Sequence, residues 1–270
     1  MEAKRILFIT QEIEPYVPAS DHTIMGRKLP QYIQEKGREI RNFMPKWGNI
    51  NERRNQLHEV IRLSGMNIII DDVDHPLIIK VASIPSAKMQ VYFIDNEDFF
   101  HKRLSCCDND GKEYSDNAIR AIFYARGVLE TVKKLRWTPD VIHCQGWISA
   151  IVPVLLKTAY KDEPSFRDCK VVYSTCAPEL KLPLHERFDN SMFFRDCDDS
   201  TLEGLGREAI DLQKLAIKYA DGVAISSDKE QAELVEYAKG QEKPVLEYPG
   251  GNLDAYLPFF DEVWSKDKEA

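Results

Sequence analysis

The 270-residue chain has no long apolar run, no disulfide framework and no excess of positive charge. No stretch approaches the ~18 apolar residues that a bilayer-spanning helix needs, so a membrane partner is not expected. The start, "MEAKRILFIT", passes from charged residues straight into a short apolar strand. It has neither an apolar h-region nor a small-residue cleavage site, so no secretory signal is expected and a cytoplasmic location is. The six cysteines show no Cys-x-x-Cys spacing, and free thiols in a reducing compartment are expected. The adjacent pair Cys106-Cys107 lacks the spacer that lets two sulfurs face one ion, which argues against zinc or any other metal. A net charge of −8 argues against nucleic-acid and anionic-membrane partners.

What is present is a strongly patterned α/β chain, 43% hydrophobic, long enough for one large core. "RILFIT" reads as a first strand, followed by a proline-bearing loop. A helical pattern runs from Thr23 to a glycine stop at Gly37, with Pro30 as a kink or a fresh first turn. "REIRNFMP" is a second strand. Between Glu59 and Asp95, "EVIRLSG", "MNIIIDD", "HPLIIKVASI" and "MQVYFID" are strands too closely spaced for helices, so inserted hairpins are expected. "EDFFHKR" reads as a short helix. "DNAIRAIFYARGVLETVKKLRW" is a periodic helix that Ser115 or Asp116 would cap. Strands and helices then alternate to "KPVLEYP", broken by a long irregular loop at 177–200. "GLGREA" (Gly204–Ala209) fits a dinucleotide fingerprint in letters but follows an acidic loop instead of a strand. The pattern predicts a single Rossmann-like, doubly wound, mainly parallel sheet over residues 1–248, with a C-terminal tail at 249–270.

The chemistry gathers at strand ends. "DVIHCQGWISAIVPVLL" (Asp140–Leu156) is a buried strand that opens onto a crevice at His143 and Gln145, then enters a helix at Trp147. His143 at a strand's carboxyl end is either a ligand-facing group or a hydrogen-bonded structural histidine. Gln145 could reach sugar hydroxyls or bond nearby backbone, and Trp147 could stack on a sugar or pack in the core. Cys176, at the next strand's end, has no adjacent base that would make it a nucleophile. Glu12 with His143 could serve as an acid/base pair in an unrelated small-molecule enzyme.

The segments "ILFITQEIEPY", "LPQYIQEKG", "VYFIDNEDFFHKR", "YSDNAIRAIFYARGVLE", "TPDVIHCQGWISAIVPVLLK" and "YADGVAISS" fall in the order found in glycogen and starch synthases. The chain resembles their N-terminal domain from Arg5 to about Ser227. That resemblance implies the N-terminal half of a GT-B fold, no bound cofactor, and an α-glucan or sugar nucleotide as ligand. It also implies that Glu12, Asp116 and Asn117 line an acceptor cleft, joined by His143, Gln145, Trp147 and Cys176. Two departures bear on activity. The family's second domain would start near "PVLEYPGG", and most of its donor-binding surface is expected to be absent. The family's Lys-x-Gly-Gly-Leu loop falls on Pro18, Ser20, Asp21 and His22, and the Asp beyond it on Ile24. Of its His-x-His-Asp-Trp-His motif, His143 and Trp147 match, while Gln145, Gly146 and Ile148 replace the rest. The family's sugar-contacting histidine and following asparagine fall on Cys176 and Ala177. Impaired catalysis, a glucan-binding or regulatory module, or a subunit completed by a partner synthase chain are the readings these replacements leave. The crevice edge would then be covered by the 177–200 loop, by the aromatic tail, or by a second copy in a homodimer.

Overall fold

The computed structural model describes residues 2–177 and 179–266. Ten strands form the frame: β1 (Arg5–Thr10), β2 (Glu39–Pro45), β3 (His58–Glu59), β4 (Met66–Ile70), β5 (Val73–Ile84), β6 (Met89–Asp95), β7 (Val141–Gln145), β8 (Lys170–Ser174), β9 (Gly222–Ala224) and β10 (Val245–Leu246). Their order is β10-β9-β8-β7-β1-β2-β6-β5-β3, with β4 pairing β5 outside that path. From β10 to β6 every pairing is parallel, whereas β3, β4 and β6 pair β5 antiparallel. The inserted hairpins are therefore real. β7 is buried along its whole length, as a strand covered on both faces must be.

The helices are α1 (Asp21–Glu35), α2 (Asn117–Leu135), α3 (Ile151–Lys157), α4 (Phe188–Met192), α5 (Ala209–Tyr219), α6 (Ala232–Lys239) and α7 (Tyr256–Ser265). On one face of the sheet, α1 and α7 meet His143, and Phe260 of α7 packs on the rings of Phe8 and His143. On the opposite face α2, α3 and α5 lie side by side. One continuous core joins both faces, and Tyr256, Phe259, Phe260, Val263 and Trp264 belong to it. Residues 249–266 thus complete the sheet's cover from within the chain.

Several local expectations change. "EVIRLSG" contributes one strand residue, Glu59, because the chain turns at once through Val60–Ser64. "EDFFHKR" forms hydrogen-bonded turns rather than a helix, with the Asn96 side chain accepting from the Asp98 and Phe99 amides. α1 starts at Asp21, earlier than Thr23, because Ser20 and Thr23 close a reciprocal capping box. It also runs unbroken through Pro30, giving up only the bond to the Gly26 carbonyl. Gly37 does end it, at φ +87°. Asp116 sits at the N-cap of α2 without capping it, since its carboxylate is held by Arg103. The 177–200 loop contains α4, packed against α2, so it is less irregular than its composition suggests. Pro178 lies outside the described residues. Among the described residues no helix is long and apolar enough to cross a membrane.

Candidate functional site

Strand register places the site. Thr10, Gln145, Ser174 and Ala224 are paired across β1, β7, β8 and β9, so four strands end in one row. In open α/β sheets, ligands bind beyond such a carboxyl edge. Side chains alternate along strands, so His143 and Gln145 of β7 and Ser174 of β8 share the α1/α7 face. Together with Met25, Tyr248 and Tyr256 they line a cavity of about 530 Å3. The rest of its wall combines apolar residues such as Ile24, Leu29 and Leu253 with hydroxyls (Ser226, Ser227) and opposed charges (Asp21, Asp228, Lys28, Lys229).

Cys176 and Trp147 do not share that cavity. The chain leaves the sheet after Ser174, and both residues line a second cavity of about 480 Å3, bounded by Glu179, Glu208 and Gln213. The Gln213 amide clamps Cys176 by accepting from its N–H and donating to its carbonyl. Burial raises the Cys176 thiol well above its ordinary range, so it is an inert thiol and no nucleophile. Glu12, Asp116 and Asn117 line neither cavity. Asn117 donates to the Cys106 carbonyl and accepts from the buried Arg120, whose guanidinium also donates to the carbonyls of Phe99 and Leu104. Asp116 and Asn117 thus hold the 103–106 segment against the start of α2.

Gln11 and Glu179 at the centre were not foreseen. Gln11 is fixed by its own amide on the Gln145 carbonyl and by Trp47 donating to its carbonyl at 2.9 Å. Its side-chain amide donates to Glu179 at 2.7 Å. The same side chain fills the space beside Gly146. There φ is +87°, and an added Cβ would lie 2.6 Å from the Gln11 Cβ and Oε1. Position 146 therefore needs glycine twice, for its backbone and for its neighbour. In the sequence, Gln11 is marked only by following β1 directly, and Glu179 lies within the irregular 177–200 loop with no local signal.

Electrostatics follow burial. Partial burial, then the Glu179 carboxylate, raise the Glu12 carboxyl to about 7, against a hydrogen bond from Ser105. Glu12 is thus half protonated near neutrality. His143 is 2% exposed, and burial lowers its pKa to about 3, so the ring is neutral. Its Nε2 meets Ser174 Oγ at 2.7 Å, while Nδ1 has no partner. The Gln11 Oε1, Trp147 Nε1 and Glu230 Oε2 atoms are likewise buried without partners. Four of the seven such atoms among the described residues gather at this edge, which leaves it hydrogen-bonding capacity for ordered water or a ligand. For a metal, the described residues offer Glu52, Asp95 and His101 within reach of one another. The Lys80 ammonium already bonds both of those carboxylates, and Lys46 pairs with Glu52.

Residues 5–247 match the family model for the starch synthase catalytic domain. The chain is similar to the glycogen synthase of Chlorobaculum parvum, 35% identical over 226 residues, which is 83% of this chain and 46% of that protein. It is similar to the glycogen synthase of Chlorobaculum tepidum at 34% over 235 residues, 86% of this chain and 47% of that one. The chain thus spans about half the length of these relatives. Among solved structures, the catalytic domain of starch synthase IV from Arabidopsis thaliana, bound to ADP and acarbose, superposes with a TM-score of 0.73. That likeness covers 91% of this chain and 51% of that one at 16% identity, and it concerns the fold. The doubly wound sheet accordingly matches a GT-B-type catalytic domain, and the chain belongs to the starch synthase catalytic domain family.

Proposed function

We propose that this chain binds α-1,4-glucan in its carboxyl-edge crevice and does not by itself transfer glucose from a sugar nucleotide. One observation carries the reading: the N-terminus of α1 is closed by its own residues. Ser20 accepts from the Thr23 amide and Thr23 accepts from the Ser20 amide, and Asp21 opens the first turn. A diphosphate bound there would need free amides and positive charge. It would meet a filled cap and a carboxylate, and the family's phosphate-binding lysine is replaced by Pro18. Gly146 and Cys176 stand at two further family positions, and Gln11 occupies the space a side chain at 146 would need. A neutral polyol suits the hydroxyl, amide and tyrosine lining of the larger cavity better.

Calorimetry with maltooligosaccharides, ADP-glucose and UDP-glucose, beside a transfer assay on glycogen, tests this. Glucan binding without nucleotide-sugar binding or transfer is expected. Transfer by the pure chain, lost on mutating crevice residues, would overturn it. A second copy or a synthase chain covering the crevice belongs to the same proposal. Light scattering with and without glucan detects the first, and transfer gained on adding an inactive donor-side chain detects the second.

A further inference from the structure

In an extended chain, adjacent side chains point to opposite sides. Cys106 and Cys107 break that pattern, with their sulfurs 3.5 Å apart. The loop that turns them together is firmly held. Arg120 donates to the carbonyls of Leu104 and Ser105, and Asn117 and the Tyr114 amide donate to the Cys106 carbonyl. Cys107 itself pairs with Glu113 in an antiparallel bridge. Both residues are partly exposed, whereas Cys144, Cys169, Cys176 and Cys197 are buried. Only this pair combines access with a second sulfur in van der Waals contact.

We propose that Cys106 and Cys107 are a modification site, a vicinal dithiol that hydrogen peroxide converts to a disulfide within the loop. The Cys107 thiolate attacks one peroxide oxygen and the O–O bond breaks. Hydroxide leaves and takes up a proton, and Cys107 becomes a sulfenic acid. The Cys106 sulfur then attacks the sulfenic sulfur. The S–O bond breaks, and the departing oxygen leaves as water with the Cys106 proton. Two thiols have lost two electrons, and one peroxide has become two waters. Cys106 is assigned the second role because burial, then the facing Cys107, raise its thiol above the ordinary range. Neighbouring Cα atoms lie only ~3.8 Å apart, below the usual ~4.4–6.8 Å of disulfides, so the bridge is strained and easily reduced. That suits a reversible mark rather than a structural staple. The mark would sit one residue from Ser105, which accepts a hydrogen bond from Gln11 and bonds the Glu12 carboxyl.

The test uses the reduced full chain, equimolar hydrogen peroxide, and maleimide trapping before intact-mass analysis. Labelled in denaturant, the maleimide count is expected to fall from the six free cysteines to four, and the unlabelled chain to lose about 2 Da, both restored by dithiothreitol. Peptide mapping should place the bridge at 106–107. With Cys106→Ser, oxidation should stop at a Cys107 sulfenic acid that dimedone traps, and with Cys107→Ser it should slow by at least about tenfold. Thermal melts confirm that each variant folds, and the wild-type peptide map decides if one does not. Six labels retained, oxidation at the buried cysteines, a cross-linked dimer, or stepwise gain of oxygen without a bridge would each overturn the proposal.

Discussion

The two ends of the parallel sheet obey different rules. At the amino ends side-chain carboxylates tie down the starts of β1 and β8. The Asp140 carboxylate accepts from the amides of Lys4 and Arg5 at 2.7 and 2.9 Å. Asp221 accepts from the Val171 amide and from Lys157. Asp261 of α7 accepts from the Ala3 amide and from Arg38. Lys243 donates to three carbonyls at the end of α5, and burial lowers its pKa to about 8. At the carboxyl ends the chain leaves Gln11, His143, Trp147 and Glu230 each with a buried atom unpaired. The same strands carry both ends, so the contrast is not one of core quality. One end is built for stability, and the other keeps polar capacity in reserve at a cost in stability.

The contrast breaks most severely if its shared cover is removed. Deleting residues after Gly251 removes α7, whose Phe260 is fully buried on Phe8 and His143. The melting temperature should fall by at least about 10 °C with no change in oligomeric mass by light scattering. The point variant Phe260→Ala should cost about 3–5 kcal/mol in denaturant titration. If the truncated chain keeps its stability but halves its mass, α7 is a dimer contact instead.

At the amino end, Asp140→Ala leaves two backbone amides without their acceptor and should cost about 2–3 kcal/mol. Glucan affinity measured by calorimetry should stay within twofold of wild type, about 0.4 kcal/mol. A large affinity loss would mean the two ends are coupled.

At the carboxyl end the sign reverses for Glu12. Its folded pKa of about 7 lies above the ordinary glutamate value, so the folded state holds its proton longer than the unfolded one. Stability from this group is full below the unfolded pKa and is lost as pH rises through about 7. Glu12→Gln should therefore stabilise by about 1–3 kcal/mol at pH 8 and change little at pH 4, read from parallel urea titrations. Destabilisation at pH 8 would show that ionised Glu12 is favourably held.

The smallest stability effect is expected at Gln145→Ala, below about 1 kcal/mol, since its side chain reaches the cavity and no described residue bonds it. Glucan binding should weaken by about fivefold or more, equivalent to about 1 kcal/mol. Unchanged binding with lost stability would make Gln145 a structural residue.

Sequence alone determined what repeats locally. The alternation of strands and helices, the buried run into His143, the hairpins between Glu59 and Asp95 and the glycine stop at Gly37 are all periodic or turn signals within a few residues. The row of strand ends is set by the register of the folded sheet, which pairs Thr10, Gln145, Ser174 and Ala224. Tertiary structure decided which polar groups are spent and which are free. Asp116 resembles a helix cap until Arg103, 13 residues away in the chain, claims it. Cys176 resembles a crevice residue until the chain leaves the sheet and Gln213 clamps it on the other side. Gln11 fills the space beside Gly146, and Glu179 tunes Glu12, only because separate loops converge at one edge. Burial and charge at a site are sums over neighbours distant in the chain, and no local pattern of residues encodes them.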